Sequence, residues 1–448
     1  MSPNPDLPGR REPRAPLADP QADMRLRMAR TGQWRDHQMA GRRWSVACVS
    51  LEITQRCNLD CSLCYLSESS EAVRDFPLEE VFRRIDMIVQ HYGPGTDVQI
   101  SGGEPTLRRR DELLAIVRRL ASRGLRASLF TNGIRATRAL LSDLAGAGLT
   151  DVAFHVDMTQ QRAGFASESA LNVLRGEYIE RARGLPISVF FNTTVFDGNF
   201  HELQMLSAFF VRHADVVRFA SFQLQAETGR GVLGARAQMI SNDSVTRRLR
   251  QGSCAELQFN VLAAGHHECN RTGILLVVNG RAHDALADAA FAQRFMRETA
   301  HLTIDRGTPW RSVRSLVLAA LRRPGLSLAA LRWALALAWR LRRDLIAARG
   351  RVHKLTLFTH NFMDACALDS DRLDACVFMA MTQDGPMGMC AFNARRDDFL
   401  LRPLATSAGD WQPLRGGHDA TPTFPVKWLK GRPRAAASAQ AHSEAWIP

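Results

Sequence analysis

The sequence predicts an α/β protein: a partial (β/α)6 TIM-type barrel of parallel strands, followed by a C-terminal mixed extension that carries further cysteines. Three observations predict it. Between residues 46 and 225, short β-branched apolar runs alternate with stretches of helical periodicity, six times over. Strict alternation with connections of this length implies parallel pairing, and right-handed crossovers curl such a sheet into a whole or partial barrel. The residues with distinctive chemistry also fall repeatedly just after predicted strands, where a parallel barrel gathers them on one rim.

In chain order, residues 1–22 are Pro- and Arg-rich without an apolar core and read as a disordered leader with no secretory signal. The barrel is expected over 23–225. A strand over 46–54 leads into Cys57-Asn58-Leu59-Asp60-Cys61-Ser62-Leu63-Cys64-Tyr65. Asp75 and Pro77 start a helix, and Leu78, Val81, Ile85, Ile88 and Val89 give it an apolar face up to Gly93. A second strand, 98–101, is followed by Gly102-Gly103-Glu104-Pro105. Then come a helix (111–123), a strand (127–131) with Asn132-Gly133, a helix (137–145) and a strand (151–156) ending in Asp157. A helix (169–183), a strand containing Asn192 (187–195), a helix (200–213) and a strand (216–222) complete the pattern. Beyond it the alternation is lost. An extension over 226–310 contains Cys254 and Cys269, a basic apolar segment fills 311–351, a cysteine-bearing region fills 352–404, and 405–448 is a Pro/Gly/Ala/Ser-rich, partly ordered tail.

Nine cysteines, an odd number with three tightly grouped, fit a reducing compartment and metal binding better than a disulfide framework. The net charge of +13 is local. Residues 311–351 contain ten arginines, one acid (Asp344) and no lysine. This concentration points to one surface with an anionic partner and away from nucleic acid. The longest uncharged run there is eight residues, far short of the roughly 20 that span a bilayer. Trp333 and Trp339 beside arginines suit an amphipathic helix at an anionic membrane surface, and a hairpin packed on the barrel is the alternative. The expected location is cytoplasmic, peripheral at the inner face of the membrane.

Three thiols at C-x3-C-x2-C spacing can hold a four-iron cluster with one iron left open for a cofactor. Structural zinc would want a fourth ligand nearby, and a redox CxxC would leave Cys57 unexplained. The cysteine triplet, with Leu63 and Tyr65 around its last member, together with Gly102-Gly103-Glu104-Pro105, resembles the radical S-adenosylmethionine (SAM) superfamily over about residues 46–225. The resemblance implies a [4Fe–4S] cluster on Cys57, Cys61 and Cys64. It also implies SAM chelated to the open iron and cleaved reductively to a 5′-deoxyadenosyl radical, and a reductant such as flavodoxin or ferredoxin. It assigns SAM contacts to Tyr65, Gly102, Gly103, Glu104, Asn132, Asp157 and Asn192. The two glycines would let backbone approach the methionine end, and Glu104 would accept from its ammonium.

The C-terminal stretch with Phe362-Met363, Arg372, Cys376, Asp384-Gly385, Cys390 and Asn393 is similar to the tail of the group containing tetraether lipid synthase and pterin methyltransferase-like proteins. This similarity implies a second iron–sulfur cluster on Cys269, Cys376 and Cys390, with Cys254 or Cys366 as a fourth ligand; buried structural thiols are the alternative. Asp384-Gly385 predicts a tight turn that brings the Cys376 segment back alongside Cys390. The expected function is radical chemistry at an unactivated carbon of a lipid or other apolar, membrane-associated substrate, as C–C bond formation or methylation. A radical SAM peptide maturase with an auxiliary cluster is the first alternative, and a non-catalytic metal-binding interaction module the second.

Overall fold

In the computed structural model the described residues are 18–230, 236, 239–302, 309–407 and 409–413. The tail beyond 413 and most of the expected leader lie outside them. The leader's last residues are helical, because Asp19 accepts from the Ala22 N–H and Pro20 pre-sets the first turn of α1 (Pro20–Arg30).

The predicted alternation follows as β1 (Cys48–Thr54), α2 (Leu78–Tyr92), β2 (Asp97–Gly102), α3 (Arg110–Ser122), β3 (Arg126–Thr131), α4 (Arg138–Ala147), β4 (Leu149–His155), α5 (Glu168–Ala182), β5 (Ser188–Val195), α6 (Leu203–Arg212) and β6 (Val217–Leu224). Local signals set the helix ends. Gly93 stops α2, Thr137 caps α4 through its side chain, and Gly148 closes α4 in the left-handed region. The extension adds α7 (Asn242–Ser253), β7 (Asn270–Val278), β8 (Arg281–Asp284), α8 (Ala289–Glu298), α9 (Pro309–Arg322), α10 (Pro324–Ala347) and β9 (His353–Asn361). Then come α11 (Ser370–Asp374), β10 (Phe378–Thr382), β11 (Gly385–Gly388), α12 (Met389–Ala394), α13 (Asp397–Leu400) and the small pair β12 (Leu404–Thr406) and β13 (Gly409–Trp411).

Strands β1 to β6 pair in parallel and in sequence order, as predicted. The sheet stays open. Its full order is β11-β10-β1-β2-β3-β4-β5-β6-β9-β7-β8, so the extension supplies strands to both edges of the barrel sheet. β10 runs parallel to β1 and β9 parallel to β6, while β11, β7 and β8 are antiparallel additions. The Asp384-Gly385 turn joins β10 and β11 as expected, with Met379 opposite Gly388.

The two faces of the sheet differ by the two-residue period of a strand. Val49, Leu51, Ile53, Val98, Ile100 and Leu129 are buried in the continuous apolar core with helix residues such as Ile85, Ile116 and Leu120. Phe154, Phe191, Phe210 and Phe222 continue that core with ring centroids 5.4–6.2 Å apart. The alternate residues, among them Ser50, Gln99, Ser101, His155 and Asn192, line a cavity instead.

The extension is fastened to the barrel at α6 and α7. A Cβ on Gly252 would meet the Gln204 carbonyl oxygen at 1.9 Å, and Ser207 donates to the Leu249 carbonyl at 2.8 Å. Gly252→Ala should therefore force the two helices apart and cost about 1–3 kcal/mol, the usual range for overpacking, read as a lower urea midpoint at unchanged slope.

Candidate functional site

The loop after β1 is held in place by backbone. Gly103 N–H donates to Thr54 O at 3.0 Å and Glu104 N–H to Arg56 O at 2.8 Å. A Cβ on Gly102, whose φ is +116°, would lie 1.9 Å from Thr54 O, and one on Gly103 would lie 2.2 Å from Arg56 O. The absent side chains thus let the end of β2 press on the start of the cysteine loop. This is a second reason for glycine at both positions, beside the expected close approach to a ligand. Both glycines still line the cavity.

Glu104 is fully buried and is not among the lining residues. Its Oε1 accepts from Thr106 N–H (3.0 Å), Thr106 Oγ1 (2.5 Å) and Thr131 Oγ1 (2.7 Å), and Oε2 accepts from Asn132 N–H (2.7 Å). It therefore ties the end of β2 to the end of β3, and Oε2 keeps one lone pair for a further donor. The Asn132 side chain donates to Asn58 Oδ1 at 2.7 Å and anchors the cysteine loop from the opposite side. Ser62 N–H donates to Thr159 O at 2.8 Å, and Tyr65 OH donates to Gly102 O at 2.6 Å. Gly229, in the segment after β6, completes the clasp, since a Cβ there would meet the Tyr65 carbonyl carbon at 2.3 Å.

Cys57, Cys61 and Cys64 line a single cavity of about 200 Å³. Around it stand Asn132, His155, Asn192 and Thr194 from strand ends, and Phe362, Phe378, Met389 and Asn393 from the extension. Burial pushes the Cys57 thiol up to about 11 and Cys61 well above its ordinary value, with neighbouring thiols adding to both shifts. Protonated, crowded thiols of this kind are a donor set that a cationic iron centre would stabilise as thiolates. Among the described residues no three His, Cys, Asp or Glu side chains are placed to hold a single metal ion. Three thiols at C-x3-C-x2-C spacing around one cavity suit a multi-iron cluster with one iron left open.

Asn192 lines the cavity, beside His155 in the β4–β5 register. Asp157 does not. It is fully buried, and its oxygens accept from Thr159 N–H (2.9 Å), Thr159 Oγ1, Thr194 N–H (2.7 Å) and His155 Nε2 (2.6 Å). The residue that β4 presents to the cavity is His155, which the sequence reading passed over. Its signal was a titratable side chain closing the apolar run Val152-Ala153-Phe154. Burial alone would lower the His155 pKa, but Asp157 outweighs it and raises the value; burial opposes ionisation of Asp157, but His155 and the N–H donors hold its pKa below the usual carboxylate range.

The C-terminal thiols Cys269, Cys376 and Cys390 lie near enough to influence one another. A Cβ on Gly388 would lie 3.5 Å from Cys376 Sγ, Cys376 Sγ donates to Phe378 O at 3.0 Å, and Met363 N–H donates to Cys390 Sγ at 3.4 Å. Burial pushes Cys376 up to about 11 and Cys390 up to about 12, and Cys269 contributes to both. Burial also raises Cys269, while the charge and hydrogen bond of Arg372 pull it back. Cys254 and Cys366 are exposed, Cys254 as the left-handed C-cap of α7 with its thiol on Gln251 O at 3.6 Å. The thiol across the sheet is Cys48, whose strand position pairs with Phe378, and its pKa is raised by burial, by Asp97 and by Cys376. The sequence reading assigned it to the core.

The Radical SAM superfamily model matches residues 51–205. The chain is 28% identical over 188 residues to 7,8-dihydro-6-hydroxymethylpterin dimethyltransferase of Methanocaldococcus jannaschii, covering 41% of this chain and 37% of that one. It is 30% identical over 231 residues to GTP 3′,8-cyclase of Streptomyces coelicolor (49% and 63%) and 35% identical over 105 residues to PqqA peptide cyclase of Bradyrhizobium diazoefficiens (23% and 27%). The chain thus spans less than two thirds of the length of each. Among solved structures, Streptococcus suis SuiB is similar over 45% of both chains, at 13% identity and a TM-score of 0.36.

The His155–Asp157 pair sets a pH window. Asp157, with its lowered pKa, contributes stability above the ordinary carboxylate pKa, and this is lost as pH falls through the lowered value. His155, with its raised pKa, contributes stability below the ordinary imidazole pKa, and this is lost as pH rises through the raised value. Asp157→Asn should cost about 3–5 kcal/mol, the usual loss on breaking a buried pair. It should also flatten both flanks in unfolding midpoints measured from about pH 1.5 to pH 9.

Proposed function

Residues 51–205 form a domain of the radical SAM superfamily, whose members use a [4Fe–4S] cluster and SAM, and on that premise we propose that this protein is a radical SAM enzyme acting at an unactivated carbon of a lipid or other apolar substrate. The observation that carries the enzyme assignment is one cavity, at the carboxyl ends of parallel strands, shared by Cys57, Cys61, Cys64, Gly102 and Gly103. The three thiolates would hold a four-iron cluster, which when loaded supplies the electron that cleaves SAM to a 5′-deoxyadenosyl radical.

The chain's own residues do the rest. Tyr65, Gly102, Gly103, Asn132 and Asn192 shape the SAM side of the cavity, and the buried Glu104 braces that wall from behind through Thr131 and Asn132. His155, whose pKa Asp157 raises against the effect of burial, stands on the same wall. Phe130, Phe362, Phe378 and Met389 form an apolar wall that excludes water from a reactive carbon. Anaerobic reconstitution followed by dithionite and SAM should yield 5′-deoxyadenosine, and the Cys57→Ala, Cys61→Ala, Cys64→Ala triple variant should yield none. A fully loaded native protein that makes no 5′-deoxyadenosine would defeat the enzyme assignment.

Cys269, Cys376 and Cys390 support a second iron–sulfur cluster, with Cys48 a better-placed fourth thiol than Cys254 or Cys366. Iron analysis should then give about eight irons per chain, against about four for a single cluster. The triple variant should keep about four, and Cys376→Ala on that background should lose them.

The apolar substrate reading draws on α9 and α10. No helix among the described residues is long and apolar enough to cross a membrane. One face of α10 packs inward: Trp333 stacks on Phe291 (centroids 5.2 Å apart), Leu341 joins Val278, and the only acid, Asp344, meets His283 at 3.3 Å. The opposite face leaves Leu328, Leu331, Leu335, Trp339 and Ile346 exposed at helical spacing, with Arg342 stacked on Trp339 at 4.2 Å. In α9, Val313, Val317 and Leu321 are exposed likewise. The hairpin thus packs on the sheet, as the second alternative expected, and keeps an exposed apolar stripe edged by arginines, which supports the first. Such a face suits peripheral contact with an anionic bilayer. Sedimentation with phosphatidylglycerol vesicles, but not phosphatidylcholine vesicles, is expected. Leu331→Ser, Leu335→Ser and Trp339→Ser together should abolish it without changing the unfolding midpoint; retained binding would count against this surface. The resemblance to a peptide cyclase over 105 residues supports a second reading, modification of a peptide.

A further inference from the structure

We infer that Arg396, in the C-terminal extension, is a positioning residue of the SAM-cleaving site, fixing Tyr65 and Asn393 on the cavity wall so that the extension completes the site. The inference rests on the radical SAM reading of the cavity and goes beyond it by assigning a role to a residue outside the matched domain.

Arg396 is 2% exposed although it lies at the start of the four-residue α13. Its Nη1 donates to both carboxylate oxygens of Glu52, at 2.6 Å to Oε2, and its Nη2 donates to Asn393 Oδ1 at 2.6 Å. The guanidinium carbon sits 4.8 Å from the Tyr65 ring centroid and 4.6 Å from that of Phe392. Tyr65 follows Cys64 directly, and its hydroxyl donates to Gly102 O at 2.6 Å. One planar cation therefore touches the ring next to the last cluster cysteine, and that ring holds the carbonyl at the end of β2. Tyr65 and Asn393 both line the cavity, and Asn393 reaches it only through the extension.

The charge arrangement suits a positioning role. Glu52, on β1, is 3% exposed and also accepts from Gln55 Nε2 at 2.8 Å. Its carboxylate balances Arg396, so the pair brings a flat cation to the cavity wall without leaving a net buried charge. Lysine would keep the ion pair but not the stacking plane or the second arm that reaches Asn393.

The test uses the reconstituted holoenzyme and reads SAM-dependent formation of 5′-deoxyadenosine together with the EPR spectrum of the reduced cluster, with and without SAM. Arg396→Lys should keep the iron content and unfolding midpoint of the wild type. It should raise KM for SAM roughly 3- to 30-fold with little change in kcat, as expected when a stacked cation that orders a binding wall is lost. It should also weaken the change that SAM makes in the cluster spectrum. If the lysine variant folds poorly, Glu52→Gln with Arg396→Met removes both charges together and should show the same KM and spectral defects. Either variant, loaded and folded, with wild-type KM and a wild-type response to SAM would overturn the role given to Arg396. A loaded wild-type protein whose cluster spectrum ignores SAM would instead overturn the reading of the cavity itself.

Discussion

The structure depends on a close backbone approach. The end of β2 can lie against the start of the cysteine loop only because positions 102 and 103 have no Cβ to strike Thr54 O and Arg56 O. Once that contact is made, the Gly103 and Glu104 N–H groups just after β2 are satisfied by the Thr54 and Arg56 carbonyls at and after the end of β1, and Glu104 is placed where one buried carboxylate can collect donors from Thr106, Thr131 and Asn132. A carboxylate with four donors is stable in a dry interior where a bare one would not be. The loop is thereby pinned from both sides, by β2 through backbone and by Asn132 through Asn58. The three thiols inherit fixed positions from a segment that has no regular secondary structure of its own.

Around that contact the sheet divides its labour by face. Apolar residues at one parity bury under helices, and polar residues at the other parity are left to line a cavity. The extension continues at both edges what six strands begin, without closing it. β10 and β9 take the two free edges of the parallel sheet, which would otherwise expose unpaired backbone groups. The β9 and β10 additions also carry Phe362, Phe378, Met389 and Asn393 to the cavity wall. Arg396 makes the same connection electrostatically, joining β1 to a residue 344 positions later in the chain.

Much of this was legible in the chain because it is local. The six strands and their helices lie within two or three residues of their predicted bounds, since strand parity, helix periodicity, Thr137 at an N-cap and Gly93 and Gly148 at helix ends are short-range signals. The Asp384-Gly385 turn and the approach of Cys376 to the Gly388–Cys390 segment followed from hairpin geometry. Other features were not legible because the deciding partner is remote. Asp157 looked like a rim residue, yet Thr194 from the next strand and His155 two positions earlier engage its oxygens, and His155 takes the place at the cavity. Cys48 is a buried thiol as its strand pattern implies, but its place beside β10 depends on a pairing with Phe378, far away in the chain.

The sequence by itself determined the parallel six-strand alternation, the spacing of the three thiols and the concentration of arginines in one segment, because each depends on residues close together in the chain. Only the tertiary structure decided that the extension completes both edges of the sheet, that the glycines serve the loop's own backbone, and that α10 buries its single acid while leaving an apolar face uncovered. Strand pairing, close packing and the compensation of a buried charge depend on which distant groups meet, and local pattern carries no record of that.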